Sequence, residues 1–227
     1  MKYVSADEAV KLVKSGDWVF FQGSTAVPVI IQEALARRAD ELRGVNIVSG
    51  FNITKGPAPF CKPEYKDSFF VNSLFLCADQ RQYVAQGYGS LIPGFLGEFP
   101  SLIRRHEIPI DVACINCSLP DENGYCSYNI SADLAQPAVE SAKIVIAQVN
   151  KSIPYLYGTA MIHESRITAA IECDDPPVDM QFGPPTEIES AIGSYIAAEI
   201  PDGATLQIGV GGIPNAILNG LKDHKHL

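Results

Sequence analysis

A glycine-rich turn near residue 210 has the residue types that bind negative charge. Residues 206–221 read LQIGVGGIPNAILNGL, in which GVGGIP separates an apolar run from a helical pattern. Glycine lets such a turn adopt positive φ, and Pro214 suits the first position of a helix, where no N–H is needed. Free N–H groups and the helix dipole then favour a phosphate, a carboxylate or the oxyanion of acyl transfer, although a purely structural turn explains the same residues.

A dinucleotide fingerprint is the main competing interpretation of this turn. The fingerprint reads G-x-G-x-x-G, but Pro214 stands where its last glycine is required. The acidic residue expected about 20 positions later would fall beyond Leu227. A dinucleotide-binding oxidoreductase is therefore the weaker hypothesis.

Three of the six cysteines are close enough in sequence to suggest a zinc site. Cys114-x-x-Cys117 is followed by Cys126, but residues 111–118 have the pattern of a buried strand, and no fourth ligand has suitable spacing. We therefore expect no metal site. The N-terminal residues MKYVSADEAV lack the apolar core of a signal peptide, which predicts a cytoplasmic protein whose cysteines are free thiols.

The composition argues against two classes of partner. The 227 residues are 47% hydrophobic and 19% charged, as is typical of a globular protein, and the net charge is -9. This charge opposes binding of a nucleic acid through a broad basic surface. Because no run of about 18 apolar residues occurs, we expect no membrane partner either.

The elements that must position the turn alternate between strands and helices, which predicts an α/β fold with a mostly parallel sheet. Apolar runs of strand length cover residues 18–21, 45–48, 69–76, 110–115, 144–149, 167–171 and 206–208. Helical patterns cover residues 29–42, 134–142 and 188–200. The Asn123-Gly124 pair is a type I′ turn signal and predicts an inserted hairpin.

One strand–turn–helix design occurs twice, on either side of a proline-rich segment. Residues 173–186 read CDDPPVDMQFGPPT, with four prolines and no periodicity, which predicts a linker. Capping-box sequences precede both copies, at Ser5–Glu8 and Thr186–Glu189. The copies share their glycine, proline, isoleucine and leucine spacing, as Gly23-x4-Pro28-x2-Ile31-x3-Leu35 and Gly209-x4-Pro214-x2-Ile217-x3-Leu221.

This repeat predicts a domain organisation. We expect an N-terminal α/β domain over residues 1–173, a linker over residues 174–186 and the beginning of a second, similar α/β domain over residues 187–227. Two complete copies would need roughly 370 residues, so we also expect the sequence to be part of a longer protein.

Three separated segments extend these patterns: GSLIPGFLGEFPSL (89–102), IPIDVACINCSLPDENGYCSYNIS (108–131) and DGATLQIGVGGIPNAILNGLKDHKHL (202–227). Together they resemble the acetyl-CoA hydrolase/transferase family, which includes 4-hydroxybutyrate, butyryl and acetate CoA-transferases. The resemblance implies two similar domains of the CoA-transferase type with the active site between them. It also implies a homo-oligomer, and it makes CoA and acyl-CoA substrates rather than bound cofactors.

By this resemblance, the reaction moves CoA between a short-chain acyl-CoA (acetyl-, butyryl- or 4-hydroxybutyryl-CoA) and a small carboxylate through a glutamyl-CoA thioester. The family's nucleophilic glutamate follows a segment similar to KDHKHL, so it is expected just beyond Leu227, with no catalytic residue inside the chain. An acyl-CoA hydrolase and a non-catalytic domain that binds a ligand or a partner are the alternatives.

The resemblance also implies which residues of this chain belong to the site. The turn that contacts CoA or the acyl group consists of Gly209, Val210, Gly211, Gly212, Ile213 and Pro214. Asn215 either contacts ligand or caps the following helix. Weaker candidates near the cleft are Gly89, Pro93, Gly94 and Phe95, together with His163, which is either structural or a catalytic base.

Overall fold

The computed structural model describes residues 1–128, 130–179 and 183–227. These residues form two compact units, Met1–Val178 and Asp179–Leu227. Within the described residues, no helix is both long enough and apolar enough to cross a membrane.

The first unit is built around a seven-stranded parallel sheet. Its strands are β1 (Trp18–Phe21), β2 (Val45–Ser49), β3 (Phe69–Ser73), β4 (Gly89–Leu91), β5 (Val112–Cys117), β7 (Ile144–Asn150) and β9 (Ala169–Cys173), and a separate antiparallel pair consists of β6 (Tyr125–Ser127) and β8 (Met161–His163). The order across the sheet is β4-β3-β2-β1-β5-β7-β9. The predicted α/β class with a mostly parallel sheet is confirmed.

Helices cover both faces of this sheet, as a parallel sheet requires. They are α1 (Ala6–Ala9), α2 (Val29–Ala36), α3 (Ala78–Tyr83), α4 (Phe99–Arg104) and α5 (Ala135–Ser141), with short 3-10 turns at Val10–Leu12, Pro63–Tyr65 and Glu164–Arg166 and a wider turn at Val84–Tyr88. One core contains Phe21 of β1 with residues of α2, and the other contains Phe20 with residues of α4 and α5. Neighbouring strand residues point to opposite faces, so one short strand serves both cores.

Several elements differ in length from the sequence prediction. The α-helix predicted over residues 29–42 ends at Ala36, and residues 37–42 continue as turns, in which the Arg38 and Ala39 N–H groups donate to carbonyls three residues back. The strand predicted over residues 69–76 ends at Ser73, and the one predicted over 167–171 lies at Ala169–Cys173. The apolar run continues past Ser73 because Leu74, in the following loop, is also buried in the core, whereas Phe75 is 55% exposed.

The chain reverses direction at residues 121–125, but the predicted type I′ turn is wrong. Type I′ requires positive φ at both central residues, and of the Asn123-Gly124 pair only Gly124 has it, at 80°. The Gly124 N–H donates to the Asp121 carbonyl, and the Asp121 carboxylate accepts from the N–H groups of Asn123 and Tyr125. Asp121 therefore organises the turn, and β6 then pairs with the distant β8.

The second unit consists of two closely packed helices, α6 (Glu187–Ala198) and α7 (Gly212–Gly220). A Cβ on Gly193 of α6 would lie 2.7 Å from the Ala216 Cβ of α7, and a Cβ on Gly220 would lie 2.8 Å from the Ala197 Cβ. Small residues four apart on each helix therefore permit close backbone approach.

The two predicted capping boxes have different outcomes. At Thr186, both halves are present: the Thr186 hydroxyl accepts from the Glu189 N–H, and the Glu189 carboxylate accepts from the Thr186 N–H. At Ser5, the hydroxyl accepts from the Glu8 N–H, but the Glu8 carboxylate pairs with Lys11 instead. The second box is confirmed and the first is half formed.

The prediction of a strand over residues 206–208 is wrong: in the part of the chain that the structure describes, this segment forms no strand. Half-buried Ala204, Leu206 and Ile208 alternate with exposed Thr205 and Gln207, which is the pattern of a one-sided strand. No neighbouring strand pairs with this segment among the described residues. Without a ladder partner, an extended segment is not a strand.

Candidate functional site

The glycine turn leads into α7 through backbone that only glycine adopts readily. Gly211 precedes the helix with φ 145° and ψ 179°, and no side chain caps the helix. Because α7 begins at Gly212, Pro214 occupies its third position, and the prediction of the first position is wrong. The third position also lacks an intrahelical acceptor for its N–H, so proline breaks no hydrogen bond there.

The turn presents backbone donors. Among the described residues, no protein acceptor binds the N–H groups of Gly209, Val210 and Gly211, and Val210 is 76% exposed. Ile213 is also exposed. These free N–H groups, next to the positive end of the α7 dipole, can donate to a carbonyl or an anion.

The carboxylate of Glu189 lies against this turn. A Cβ on residue 212 would lie 2.6 Å from the Glu189 carboxyl carbon, so a larger residue there would displace the Glu189 carboxylate. The Glu189 carboxylate accepts from the Thr186 N–H at 2.7 Å and from its hydroxyl at 2.9 Å. These two hydrogen bonds hold the pKa of Glu189 below its ordinary value, so the carboxyl is ionised at neutral pH.

Asn215 lies inside the first turn of α7 rather than at its N-cap. Its backbone N–H donates to the Gly211 carbonyl at 3.2 Å, as the first hydrogen bond of the helix. The N-cap is Gly211, so the capping role considered for Asn215 is wrong. Ligand contact by the Asn215 amide stays a prediction.

In the first unit, polar groups collect where the sheet order reverses, between β1 and β5. Ligands of open α/β sheets bind at the carboxyl ends of strands at such a reversal. Gln22, directly after β1, is fully buried. Its amide nitrogen donates to the carbonyls of Tyr128 (2.8 Å) and Ser131 (2.9 Å), and its amide oxygen accepts from the Asn116 N–H (2.7 Å).

Glycine 23 and the residue after it bring the end of β1 close to the segment that follows β2. A Cβ on Gly23 would lie 2.6 Å from the Phe51 carbonyl oxygen, and the Ser24 N–H donates to that same oxygen. Ser24 has φ 55°, in the left-handed region that few residues other than glycine adopt. The glycine of the first repeat copy is therefore explained by close backbone approach rather than by a ligand.

A second group of buried polar side chains lies at the carboxyl ends of β2 and β3. The Asn52 amide donates to the Asp79 carboxylate at 2.9 Å, and the Gln80 amide donates to the Ser49 hydroxyl at 2.7 Å. Burial raises the pKa of the Asp79 carboxyl, although the hydrogen bond from Asn52 opposes this shift. Within this group, and among the described residues, four buried atoms have no hydrogen-bond partner: Asn52 Oδ1, Ser73 Oγ, Asp79 Oδ1 and Gln80 Oε1.

The weaker candidates at residues 89–95 begin as a strand rather than a loop. Gly89 starts β4, and its Cβ would lie 2.5 Å from the Val71 carbonyl oxygen of β3, which explains glycine there structurally. Pro93 and Gly94 follow in an exposed segment, where Phe95 is 79% exposed and its N–H donates to the Glu98 carboxylate. Because this segment follows the carboxyl end of β4, it lies at the ligand-binding edge of the sheet.

His163 is held by local contacts at the end of β8. Its Nδ1 accepts from the Ser165 N–H at 3.3 Å and lies 2.8 Å from the Ser165 hydroxyl. Its ring packs edge-on against Tyr125, with centroids 5.0 Å apart. These contacts describe a residue that caps the turn at Glu164–Arg166, and its role as a base stays a prediction.

The three cysteines near β5 do not converge on one point as a zinc site would require, although Cys117 and Cys126 contact each other. Cys114 lies in one core and Cys117 and Cys126 lie in the other, on the opposite face of the sheet. Burial raises the pKa of the Cys114 thiol, which disfavours the thiolate that binds metal. Across the described ranges, no group of three or more His, Cys, Asp or Glu side chains is placed to hold a metal ion.

A cleft of about 490 Å³ opens beside the first turn of α2, between residues 54–59 and 173–178. Its charged lining residues are Lys55, Glu33, Asp174 and Asp175. Gln32 forms part of the wall and is fully buried, with no partner for its Nε2 among the described residues. Three carboxylates against one ammonium group make this cleft unsuited to a carboxylate ligand.

Sequence reasoning missed Gln22, Asn52 and Asp79. Gln22 carries a usable signal, since a lone glutamine that ends the apolar run WVFF marks a polar group at a strand's carboxyl end. Asn52 and Asp79 are 27 positions apart, and Asn52 lies in the loop after β2 whereas Asp79 lies in the first turn of α3. Only the pairing of β2 with β3 brings them together.

Comparison with known proteins gives consistent matches. The acetyl-CoA hydrolase/transferase N-terminal domain matches residues 1–180. A 4-hydroxybutyrate coenzyme A transferase from Clostridium kluyveri is 38% identical over 226 residues, covering 100% of this chain and 52% of that protein. A succinyl-CoA:acetate/propanoyl-CoA:succinate CoA transferase from Fasciola hepatica is 36% identical, covering 98% of this chain and 46% of that protein.

A solved structure agrees with these matches. The crystal structure of a 4-hydroxybutyrate CoA-transferase from Porphyromonas gingivalis has a TM-score of 0.80 at 35% identity, covering 99% of this chain and 52% of that one. The chain spans about half the length of the relatives it matches.

Proposed function

Because this chain belongs to the acetyl-CoA hydrolase/transferase family, we propose that it forms the N-terminal half of a CoA-transferase. The observation that carries the proposal is the 38% identity, over the whole chain, to a protein named as a 4-hydroxybutyrate coenzyme A transferase. Acyl-CoA and a carboxylate are the substrates in this proposal, and CoA passes between them.

The proposed chemistry needs a nucleophilic glutamate, expected after Leu227. Its carboxylate attacks the thioester carbonyl of acyl-CoA and expels CoA thiolate, which leaves an acyl–glutamyl anhydride. The thiolate attacks the glutamyl carbonyl of this anhydride, releases the first carboxylate and leaves a glutamyl-CoA thioester. The acceptor carboxylate then attacks this thioester and expels the thiolate, which attacks the new acyl group, yielding the second acyl-CoA and the free glutamate.

In this proposal, the glycine turn positions acyl-CoA. Within the described residues, the N–H groups of Gly209, Val210 and Gly211 have no protein acceptor, so they are donors that a carbonyl group of the substrate can use. Positioning matters because a carboxylate is a poor nucleophile and reacts well only when it is held close to the thioester.

A hydrolase would use the same site with water as the acceptor. The names of the two relatives, both of which are transferases, support a carboxylate acceptor instead. Those names also include acyl groups that differ in length and charge, from 4-hydroxybutyrate to succinate and propanoate. We therefore propose a short-chain acyl-CoA and a small carboxylate without choosing one pair.

The test is the intact mass of the protein expressed from its complete gene, before and after incubation with acetyl-CoA. A CoA-sized adduct that hydroxylamine removes is the expected result, because a glutamyl thioester reacts with hydroxylamine. Acetate added afterwards should discharge the adduct and regenerate acetyl-CoA.

A variant with alanine at the expected glutamate is the matched control and should form no adduct. If the unmodified protein turns over acetyl-CoA without forming an adduct, the thioester route is wrong. If it releases acetate with water alone and ignores added carboxylates, the protein is a hydrolase.

A further inference from the structure

We infer that the cleft beside the first turn of α2 binds a small organic ammonium compound that also carries a carbonyl oxygen. The cleft has a volume of about 490 Å³, which is in the range of small-molecule sites. Its lining residues lie within 29–33, 54–59 and 173–178, so the whole cleft belongs to the first unit. The inference does not depend on the proposed CoA transfer, because it concerns a cationic ligand rather than acyl-CoA or a carboxylate.

Gln32 gives this cleft a buried hydrogen-bond donor that no protein group uses. Its side chain lines the cleft, and the residue is only 1% exposed. Its Nε2 is buried and has no hydrogen-bond partner among the described residues. A buried N–H without an acceptor is unfavourable, so a ligand oxygen that reaches Nε2 is favoured. A carbonyl oxygen is such an acceptor, and an alkyl group is not.

Carboxylates outnumber cationic groups around the cleft. The carboxylates are those of Glu33, Asp174 and Asp175, and the single ammonium group is that of Lys55. Within the described ranges, none of these four groups forms an ion pair. The uncompensated negative charge attracts a cation and repels a carboxylate or a phosphate.

The segment that carries two of these carboxylates is fixed to the sheet. Asn150, the last residue of β7, is fully buried. Its amide nitrogen donates to the Asp175 carbonyl at 2.7 Å, and its amide oxygen accepts from the Asp175 N–H at 3.1 Å. The Ser152 hydroxyl also donates to the Asp174 carboxylate at 2.6 Å. Because this wall is held in place, little conformational freedom is lost when a ligand binds.

These features together define the class of ligand. An ammonium group faces the carboxylates, a carbonyl oxygen accepts from Gln32 Nε2, and an apolar body packs against the half-buried Val29, Ile30 and Pro59. Leucinamide has all three parts and is the probe. It carries no carboxylate, so it cannot act as the acceptor in the proposed transfer reaction.

The test compares leucinamide with two compounds that each lack one part. N-acetylleucinamide keeps the carbonyl and the apolar body without the charge, and isopentylamine keeps the charge and the apolar body without the carbonyl. Ligand-observed NMR titration of the protein expressed from its complete gene gives each Kd, at about pH 6.5, where an α-amino group is protonated. Leucinamide should bind saturably, and both other compounds should bind about fivefold more weakly or worse.

Three variants assign the binding to this cleft. Gln32→Met keeps the length of the side chain and removes the donor, so it should weaken leucinamide to the level of isopentylamine and leave isopentylamine unchanged. Asp175→Asn should weaken both ammonium compounds about threefold and leave N-acetylleucinamide unchanged. Asp40→Asn, at an exposed position outside the cleft, is the matched control and should change no Kd.

The inference is overturned if leucinamide shows no saturable binding at tens of millimolar. It is also overturned if N-acetylleucinamide or isopentylamine binds as well as leucinamide, since either result removes one of the two recognition contacts. Should Gln32→Met fail to fold, Asp175→Asn and the comparison of the three compounds on the unmodified protein still decide the question. Equal effects of Asp175→Asn and Asp40→Asn would place the binding outside this cleft and would also contradict the inference.

Discussion

At the scale of single residues, buried amides determine how the sheet ends are built. Gln22 is fully buried and every hydrogen-bonding atom of its amide group has a protein partner, so it joins the end of β1 to residues 116, 128 and 131. Burial of a polar group is favourable only when such partners are present. This glutamine therefore fixes the backbone at the reversal of strand order.

We predict that Gln22→Leu lowers the free energy of unfolding by about 3 kcal/mol, because it leaves two buried carbonyls and one N–H without their partner. Urea denaturation followed by circular dichroism measures the change. Gln82→Leu, at an exposed position of α3, is the control and should change stability by less than about 0.5 kcal/mol. Equal effects of the two substitutions would contradict this account of Gln22.

Asp79 gives a prediction with a defined pH dependence. Because its pKa is raised in the folded protein, the folded state holds the proton more tightly than the unfolded state. Stability therefore falls as pH rises from about 4, the unfolded value, through the folded value, and the cost remains in full above it. Asp79→Asn should therefore raise the free energy of unfolding at pH 7 by on the order of 1 kcal/mol, and it should unfold at a higher urea concentration than the unmodified protein.

This advantage of Asp79→Asn should shrink as the pH is lowered through the folded pKa and vanish well below about 4, where the carboxyl is protonated in both the folded and the unfolded state. Urea midpoints at a series of pH values measure it. Asp40→Asn, at an exposed position, is the control and should leave the midpoint nearly unchanged at pH 7. A stability difference that grows on acidification would show that the direction assigned to the pKa shift of Asp79 is wrong.

At the scale of elements, the pairing of α6 with α7 depends on missing side chains. Gly193 and Gly220 each face an alanine of the other helix at a distance that leaves no room for a Cβ. Glycine in a helix interior normally costs about 1 kcal/mol relative to alanine. Close packing of the two helices is therefore maintained against local helix propensity.

We predict that Gly193→Ala destabilises this helix pair, although the same change in an isolated helix would stabilise it. The added Cβ would lie 2.7 Å from both the Cβ and the carbonyl carbon of Ala216, so the helices must separate. Hydrogen exchange of the α6 amides should become at least tenfold faster. Ser194→Ala, at the next and exposed position, should not accelerate exchange, and slower exchange in Gly193→Ala would contradict the packing argument.

The sequence predicts the central strands well because each is an apolar run that both faces of the sheet bury. β1 was predicted with its exact bounds, and β2, β5 and β7 within two residues. β4 was missed because GSL has no apolar periodicity and becomes a strand only by pairing with β3. Residues 206–208 have the periodicity of a strand but no partner among the described residues, since periodicity records which side chains are buried and not what pairs with them.

The candidate site, like the sheet, could be predicted from the sequence only in part. The glycine turn could be located because its residue types are local in sequence. The contact between Glu189 and Gly212 could not be predicted, since it joins two helices whose crossing is set by Gly193 and Ala216. A capping box was visible at Thr186, but the position of its glutamate over a second helix start depends on tertiary packing.

At the scale of the whole molecule, the two units differ in how completely they bury their apolar residues. The first unit has two cores, one on each face of the sheet, with Phe20, Phe21 and Phe69 fully buried. The second unit exposes large apolar side chains on its helices, including Ile188 at 74% and Tyr195 at 77%. The buried residues of α6 and α7 are small, namely Gly193, Ala197 and Ala216.

From this difference we predict that residues 1–178 fold alone and that residues 179–227 do not. A chain of 178 residues with two closed cores is long enough for a stable domain. Helices of 12 and 9 residues are marginal in water unless a large apolar face is buried, and α6 and α7 bury little apart from small side chains.

Circular dichroism and urea titration of the two separate polypeptides test this prediction. The first should show a cooperative transition with the helix and strand content of the sheet domain, and the second should show little helix. A cooperative transition in residues 179–227 would mean that the crossing of α6 and α7 through glycine and alanine is itself enough to stabilise the pair.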